Sequence, residues 1–200
     1  MNDLLMDTLR GPVPQARAAA RRFADRAAAE HAADLAYATV QSPVGELLLV
    51  AAPAGLTNLH YLDERLDGVL ETLARTRSPR IVESRKALDP WRRELEEYFD
   101  GRRTRFDAPL DWAQMAPFQQ RVLRATAEIP FGRTSTYQDM AAEAGNASAS
   151  RAAGNALGAN PIPIIVPCHR VLRKGGGFGG YTGGLERKHQ LLALEGVIAL

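Results

Sequence analysis

One side chain in this 200-residue sequence can act as a strong, soft nucleophile: Cys168, the only cysteine, followed directly by His169. A thiol attacks as its thiolate, and an adjacent imidazole is the usual group to lower its pKa and take its proton. The approach, Asn160-Pro161-Ile162-Pro163-Ile164-Ile165-Val166-Pro167, carries three prolines and four β-branched residues. That composition predicts a stiff, buried strand or extended segment that holds the thiol still. With no flanking pattern, a lone buried cysteine would read only as a small apolar residue. A single cysteine also excludes an internal disulfide, a resolving thiol and a four-thiolate zinc site.

Three further stretches bear on that thiol. Seven of the seventeen glycines crowd into positions 175–184. No Gly-Lys-Ser/Thr follows them, so a phosphate-binding P-loop is excluded and a mobile lid containing Tyr181 and Thr182 is the better reading. The last helix, Leu185–Glu195, aligns Leu185, Lys188, Leu191, Leu192 and Glu195 along one side. A carboxylate on an apolar stripe needs a partner, and His169 is the natural one. The third stretch, Ala149-Ser150-Arg151-Ala152-Ala153-Gly154-Asn155-Ala156-Leu157-Gly158, is a helix of small residues with one long cation. Such a helix serves either tight packing against another helix or close approach to a DNA groove.

Pro167-Cys168-His169-Arg170-Val171, with Asn160-Pro161 upstream and Gly179-Gly180-Tyr181-Thr182-Gly183-Gly184 downstream, resembles the active-site signature of the O6-alkylguanine-DNA alkyltransferases. The resemblance is strong over 112–197, loose over 36–110, and does not reach the first thirty-odd residues. It implies DNA repair by stoichiometric, irreversible transfer of an alkyl group from O6-alkylguanine, with O4-alkylthymine as a second candidate lesion, in double-stranded DNA to Cys168, after the damaged base is flipped out. It further implies that His169 takes the thiol proton, directly or through a water, that Glu195 orients His169, and that Tyr137 gives a proton to the departing purine. Arg151 matches the family's intercalating arginine, on a groove-facing helix with Ala149, Ser150, Ala152 and Gly154. Asn160 matches the asparagine that braces the turn before the thiol, and Lys188 matches the lysine of the last helix. Backbone groups of Val166 and of the lid (Tyr181, Thr182) would recognise the guanine. No cofactor is implied, because the substrate brings the alkyl group. The zinc site of vertebrate members and the cysteine-ligated metal domain of two-domain bacterial sensors are expected to be absent, and His31 and His60 lack ligand-spaced partners. Two other classes fit parts of the pattern. A Cys-His hydrolase would use the same dyad but turn over repeatedly; a non-catalytic lesion-binding relative would lack the cysteine.

The elements that must position these groups are legible in outline. The length suits one large or two small domains, and a near-neutral total of +2 hides an asymmetry. Residues 112–200 hold nine Lys/Arg against five Asp/Glu, whereas residues 1–111 hold sixteen against eighteen. The basic half carries the thiol, which suits an anionic partner. No membrane-length apolar run and no signal-like segment is present, so a cytoplasmic protein with no membrane association and no obligate protein partner is expected. The expected fold class is α+β in two domains, preceded by a helical or disordered extension, 1–34, with Ala/Arg-rich composition. Domain 35–110 is a small antiparallel sheet (Glu46–Ala51, Leu56–Leu62) with a helix through Leu66, Val69, Leu70 and Leu73 and another N-capped by Asp89 and ended at Asp100-Gly101. The second domain, 112–200, is mainly helical, with a winged-helix-like helix-turn-helix whose first helix starts on a Thr136/Asp139 capping box.

Overall fold

The computed structural model describes residues 14–30, 32–63 and 65–199. It begins with helix α1 (Pro14–Ala29), whose Ala/Arg composition has high helical propensity. Most of α1 is exposed, including Phe23, but Ala27 is buried and Ser84 Oγ donates to Asp25 at 2.6 Å. The rest of the expected extension, residues 1–13, and His31 lie outside the described residues.

The sheet that follows has the order β3-β2-β1-β4. Strands β1 (Leu35–Val40), β2 (Leu47–Ala52) and β3 (Gly55–Tyr61) form an antiparallel meander. Strand β4 (Ile81–Glu83) was not expected, and it pairs with β1 in parallel. Three residues are too few to show an alternating pattern, and a parallel neighbour needs a crossover, which α2 (Leu66–Thr76) supplies. Leu73 of α2 packs with Leu35, Leu48 and Val50 on one face of the sheet. The opposite face, with Leu47, Leu49 and Leu59, packs into a cluster with Trp91, Leu95 and Tyr98 of α3 (Asp89–Phe99). Asp89 does not cap that helix. It is the first helical residue, the cap position is Leu88, and the Asp89 carboxylate receives Arg92 one turn on. Pro90 favours this register because its fixed φ suits the first turn.

The second half holds α4 (Pro117–Ala127), α5 (Tyr137–Glu143), α6 (Ser150–Gly158) and α7 (Leu185–Leu194). A two-stranded parallel ladder joins β5 (Ser135–Thr136) to β6 (Val171–Leu172). Thr136 and Asp139 form the reciprocal capping box that starts α5. Helices α5 and α6 pack on each other and on α4, a helix-turn-helix with a small ladder beside it. The same buried cluster runs from the sheet through Val122, Leu123, Ala153, Val166 and Leu191, and the Leu59 N–H donates to the Pro161 carbonyl at 2.8 Å. The two halves therefore share one core. Among the described residues no helix is long and apolar enough to cross a membrane.

Candidate active site

The segment before the cysteine is buried as expected but is not a strand. It is a chain of tight turns. Ile165 N–H bonds to Pro163 C=O across Ile164, whose φ of 73° is a rare, strained conformation for a β-branched residue. Cys168 N–H bonds in the same way to Val166 C=O across Pro167 (φ −81°, ψ 60°), an inverse γ-turn. Extended backbone would leave the segment's N–H and C=O groups seeking a sheet partner, whereas these turns satisfy several of them internally.

Asn160 holds the coil together. Its Oδ1 accepts from Ile162 N–H at 3.0 Å, and its Nδ2 donates to Val166 C=O at 2.9 Å and to Cys168 Sγ at 3.1 Å. Cys168 then opens a single turn of 3-10 helix, Cys168–Arg170, with all three residues buried. Burial pushes the thiol up to about 11, against the opposing pull of the Asn160 bond and the Lys188 charge. The sequence-based expectation of a thiol acidified by its neighbour is thus corrected: at neutral pH the resting group is the thiol. The His169 ring makes no hydrogen bond to Sγ either.

His169 faces the other way, toward Glu195. Its Nε2 lies 2.9 Å from Glu195 Oε1, and its buried Nδ1 has no hydrogen-bond partner among the described residues. Burial lowers the pKa of His169, so the ring is neutral, while Glu195, held at about 2 despite its own burial, is a carboxylate. With an ionised acceptor at Nε2, the proton belongs there and Nδ1 carries the lone pair. Glu195, just past the end of α7, collects more partners than the sequence suggested. Arg170 grips both oxygens at 2.8 and 2.9 Å, and Tyr98 Oη donates to Oε1 at 2.7 Å. Nothing in the sequence singled out Tyr98, and Arg170 stood only as part of the motif. The available signal was Arg170 itself, since an arginine inside so apolar a stretch needs a buried carboxylate.

A cavity of about 690 Å³ opens above the thiol, lined by Tyr137, Ser150, Arg151, Gly154, Cys168, Tyr181 and Thr182, among others. Six expected site residues therefore share one wall with the nucleophile. Helix α6 turns Arg151, Ala152 and Asn155 to solvent and buries Ala153, Ala156 and Leu157; its cap residue Ala149 is half-buried against the core. Tyr137 is clasped between Gly154 and Gly179. At Gly179, with φ +66°, a Cβ would overlap the Tyr137 hydroxyl, so the loop approaches that ring closely only because the residue is glycine. Thr182 Oγ1 donates to Gly158 C=O at 2.9 Å, tying the loop to α6.

Two expected residues sit elsewhere. Val166 is fully buried and off the cavity wall, and its carbonyl already accepts from Asn160 and from Cys168 N–H, so it offers no guanine contact in this arrangement. Lys188 is also fully buried. Its Nζ donates to Val171 C=O at 2.7 Å and to Phe178 C=O, fastening the glycine-rich loop from beneath, and burial lowers its pKa to about 8. Leu185, expected on the apolar stripe of α7, is exposed because it lies at the first residue of the helix, before the buried face begins. His60 is a half-buried edge-strand residue whose Nε2 has no partner, and among the described residues no three His, Cys, Asp or Glu side chains are grouped to hold a metal.

A buried thiol, an imidazole with one unpartnered nitrogen, a fixed carboxylate and a cavity thus lie together beside a helix-turn-helix. Two family models match the chain: the ribonuclease-like domain of 6-O-methylguanine DNA methyltransferase over residues 35–112, and the DNA binding domain of 6-O-methylguanine DNA methyltransferase over 117–197. Among curated relatives, the methylated-DNA–protein-cysteine methyltransferase of Mycolicibacterium paratuberculosis is 43% identical over 159 residues, covering 80% of this chain and 91% of that protein. The protein of the same name from Methanosarcina barkeri is 38% identical, covering 80% and 96%. The crystal structure of Mycobacterium tuberculosis OGT in complex with DNA superposes with a TM-score of 0.69 at 41% identity, covering 80% and 92%. The chain belongs to the 6-O-methylguanine DNA methyltransferase family.

Proposed function

We propose that this protein repairs double-stranded DNA by moving the alkyl group of O6-alkylguanine onto Cys168, once per molecule. The observation that carries the reading is the buried line of Cys168, His169 and Glu195 behind a cavity walled by α6. The Sγ–C bond forms as the C–O6 bond breaks. The thiol proton passes to His169 Nδ1, directly or through a water, while Glu195 stabilises the imidazolium and Arg170 and Tyr98 hold Glu195 in place. Tyr137 gives a proton to the departing purine, so the thiol hydrogen ends, in net, on guanine. Because burial holds the thiol neutral, deprotonation belongs to the reaction rather than to the resting state. The thioether product is inert to every side chain in the cavity, hence the single turnover. Asn160 fixes Sγ, while Tyr181, Thr182 and Lys188 shape and anchor the loop that covers the base. The chemistry needs no cofactor. It needs a reduced thiol and access to DNA, which the cytoplasm provides.

With excess O6-methylguanine duplex, loss of the lesion should stop at one equivalent per protein. Continued turnover would favour the hydrolase reading. Arg151 serves base flipping and not the displacement: its side chain, exposed at the cavity rim, fills the space the rotated guanine leaves, offsetting part of an unstacking cost of a few kcal/mol. Arg151→Ala should therefore slow repair of duplex by about 10- to 100-fold, the range that about 1.4–2.8 kcal/mol supports. Reaction with free O6-alkylated base should stay close to the parent rate. An equal loss on both substrates would mean damage to the pocket, and a uniform affinity loss with a salt slope lower by about one charge would reduce Arg151 to a phosphate contact.

A further inference from the structure

The N-terminal half reaches into the site through one residue that the reaction does not use, Tyr61 at the end of β3. Its hydroxyl lies 2.6 Å from the hydroxyl of Tyr181, the aromatic residue of the loop above Cys168. The two rings meet edge to face at 6.3 Å, and Tyr181 meets the His169 ring the same way, also at 6.3 Å. On its other side the Tyr61 ring is covered by the Arg187 guanidinium, 4.4 Å from the centroid. That guanidinium is itself fixed by Val44 C=O at 2.8 Å and by the Asp63 carboxylate, on both sides of β2 and β3. Gly183 completes the clasp: a Cβ there would overlap both the Tyr61 and the Tyr181 rings. Burial raises the pKa of both hydroxyls, so each is a neutral phenol and one donates to the other.

From this arrangement we infer that Tyr61 is a positioning residue that sets which alkyl groups the site accepts, by holding Tyr181 against the space above Cys168. The inference rests on the alkyltransferase reading and deepens it. Tyr181 lines the same cavity as Sγ, so an alkyl group presented to the thiol must fit beside its ring. A ring free to tilt would admit bulk. A ring pinned at its hydroxyl, with Gly183 behind it and no room to retreat, rejects bulk and favours methyl. The Tyr61 hydroxyl bonds to Tyr181 and to neither nucleophile nor base, and it lies more than a hundred residues from the cysteine, which is why the sequence pattern around the cysteine does not reveal it. The N-terminal half is thereby more than a support for the helix-turn-helix, because it supplies the fixed end of one cavity wall.

Tyr61→Phe keeps the ring, its cation–π contact and its packing while deleting the bond to Tyr181. Rates of Cys168 alkylation by the free bases O6-methylguanine and O6-benzylguanine, measured on parent and variant with thermal melts as a folding check, give the test. The benzyl-to-methyl rate ratio should rise about two- to tenfold, the range one hydrogen bond supports. Tyr181→Phe should shift the ratio equally, and the double variant should go no further, since both single changes remove the same bond. A folded Tyr61→Phe with the parent ratio overturns the inference, as do independent, additive effects of the two substitutions. A parent protein inert toward both bases overturns the inference, and one inert toward O6-methylguanine duplex as well defeats the alkyltransferase reading itself.

Discussion

Cys168→Ser abolishes alkyl transfer, a loss of at least about 10,000-fold as for nucleophile removal in other covalent enzymes, while duplex affinity stays within about twofold. The hydroxyl is close in size to the thiol, can still accept from Asn160 Nδ2, and sits in a pocket where Cys168 is only 5% exposed, so the fold tolerates it. What it lacks is nucleophilicity. The thiol itself is raised to about 11, and reaches the thiolate only because its proton has somewhere to go and sulfur gives it up more readily than oxygen. In the proposed reading, duplex is held by α6 and the basic surface of the second half, to which Sγ contributes nothing. Transfer from labelled duplex and equilibrium binding at one fixed salt concentration separate the two effects. Undiminished transfer by the serine variant would place the nucleophile elsewhere.

Glu195→Gln has the second largest effect, and acts on chemistry and stability together. An amide cannot accept from His169, Tyr98 and both arms of Arg170, because half of it is a donor pointed at donors. Transfer should slow by about 100- to 10,000-fold as the imidazole loses its tautomer and its counter-charge. Leaving Arg170 buried without its carboxylate costs about 3–5 kcal/mol. The pH dependence identifies the cause. In the folded chain Glu195 takes up its proton at about 2, against an ordinary value of 4.5. On acidification the unfolded chain is protonated first, so the stability this group contributes is constant above about 4.5 and drains away between 4.5 and 2. The variant should lose that part of the acid slope. Lower stability with an unchanged rate per folded molecule would make Glu195 structural only.

How much of this was legible in the sequence depended on how local the cause was. The Thr136–Asp139 capping box and the antiparallel pair β2 and β3 follow from neighbouring residues, and the sequence predicts them. Strand β4 escaped because its pairing is decided by a crossover helix and not by its own three residues. The turn path of 161–167 escaped because proline and β-branched residues signal burial and stiffness alike in a strand or a coil. What selects the coil is Asn160, reaching six and eight residues ahead to Val166 and Cys168. At the site, the linear motif around Cys168 was readable. Tyr98, Arg170 and Tyr61 were not assigned, since each acts through a partner between 25 and 120 positions away. The protonation state of the thiol was likewise decided by burial, which a neighbouring histidine in the sequence cannot reveal.

The central claim is that one alkyl group is moved to one sulfur and stays there. Mass analysis of the Cys168-containing peptide, after mixing the protein with excess O6-methylguanine duplex, tests it most directly. This peptide should gain the mass of one methylene unit (a methyl replacing the thiol hydrogen), quantitatively and permanently, with every other peptide unchanged. An unmodified Cys168 peptide alongside repaired DNA, or a methyl group carried by any other residue, would contradict it.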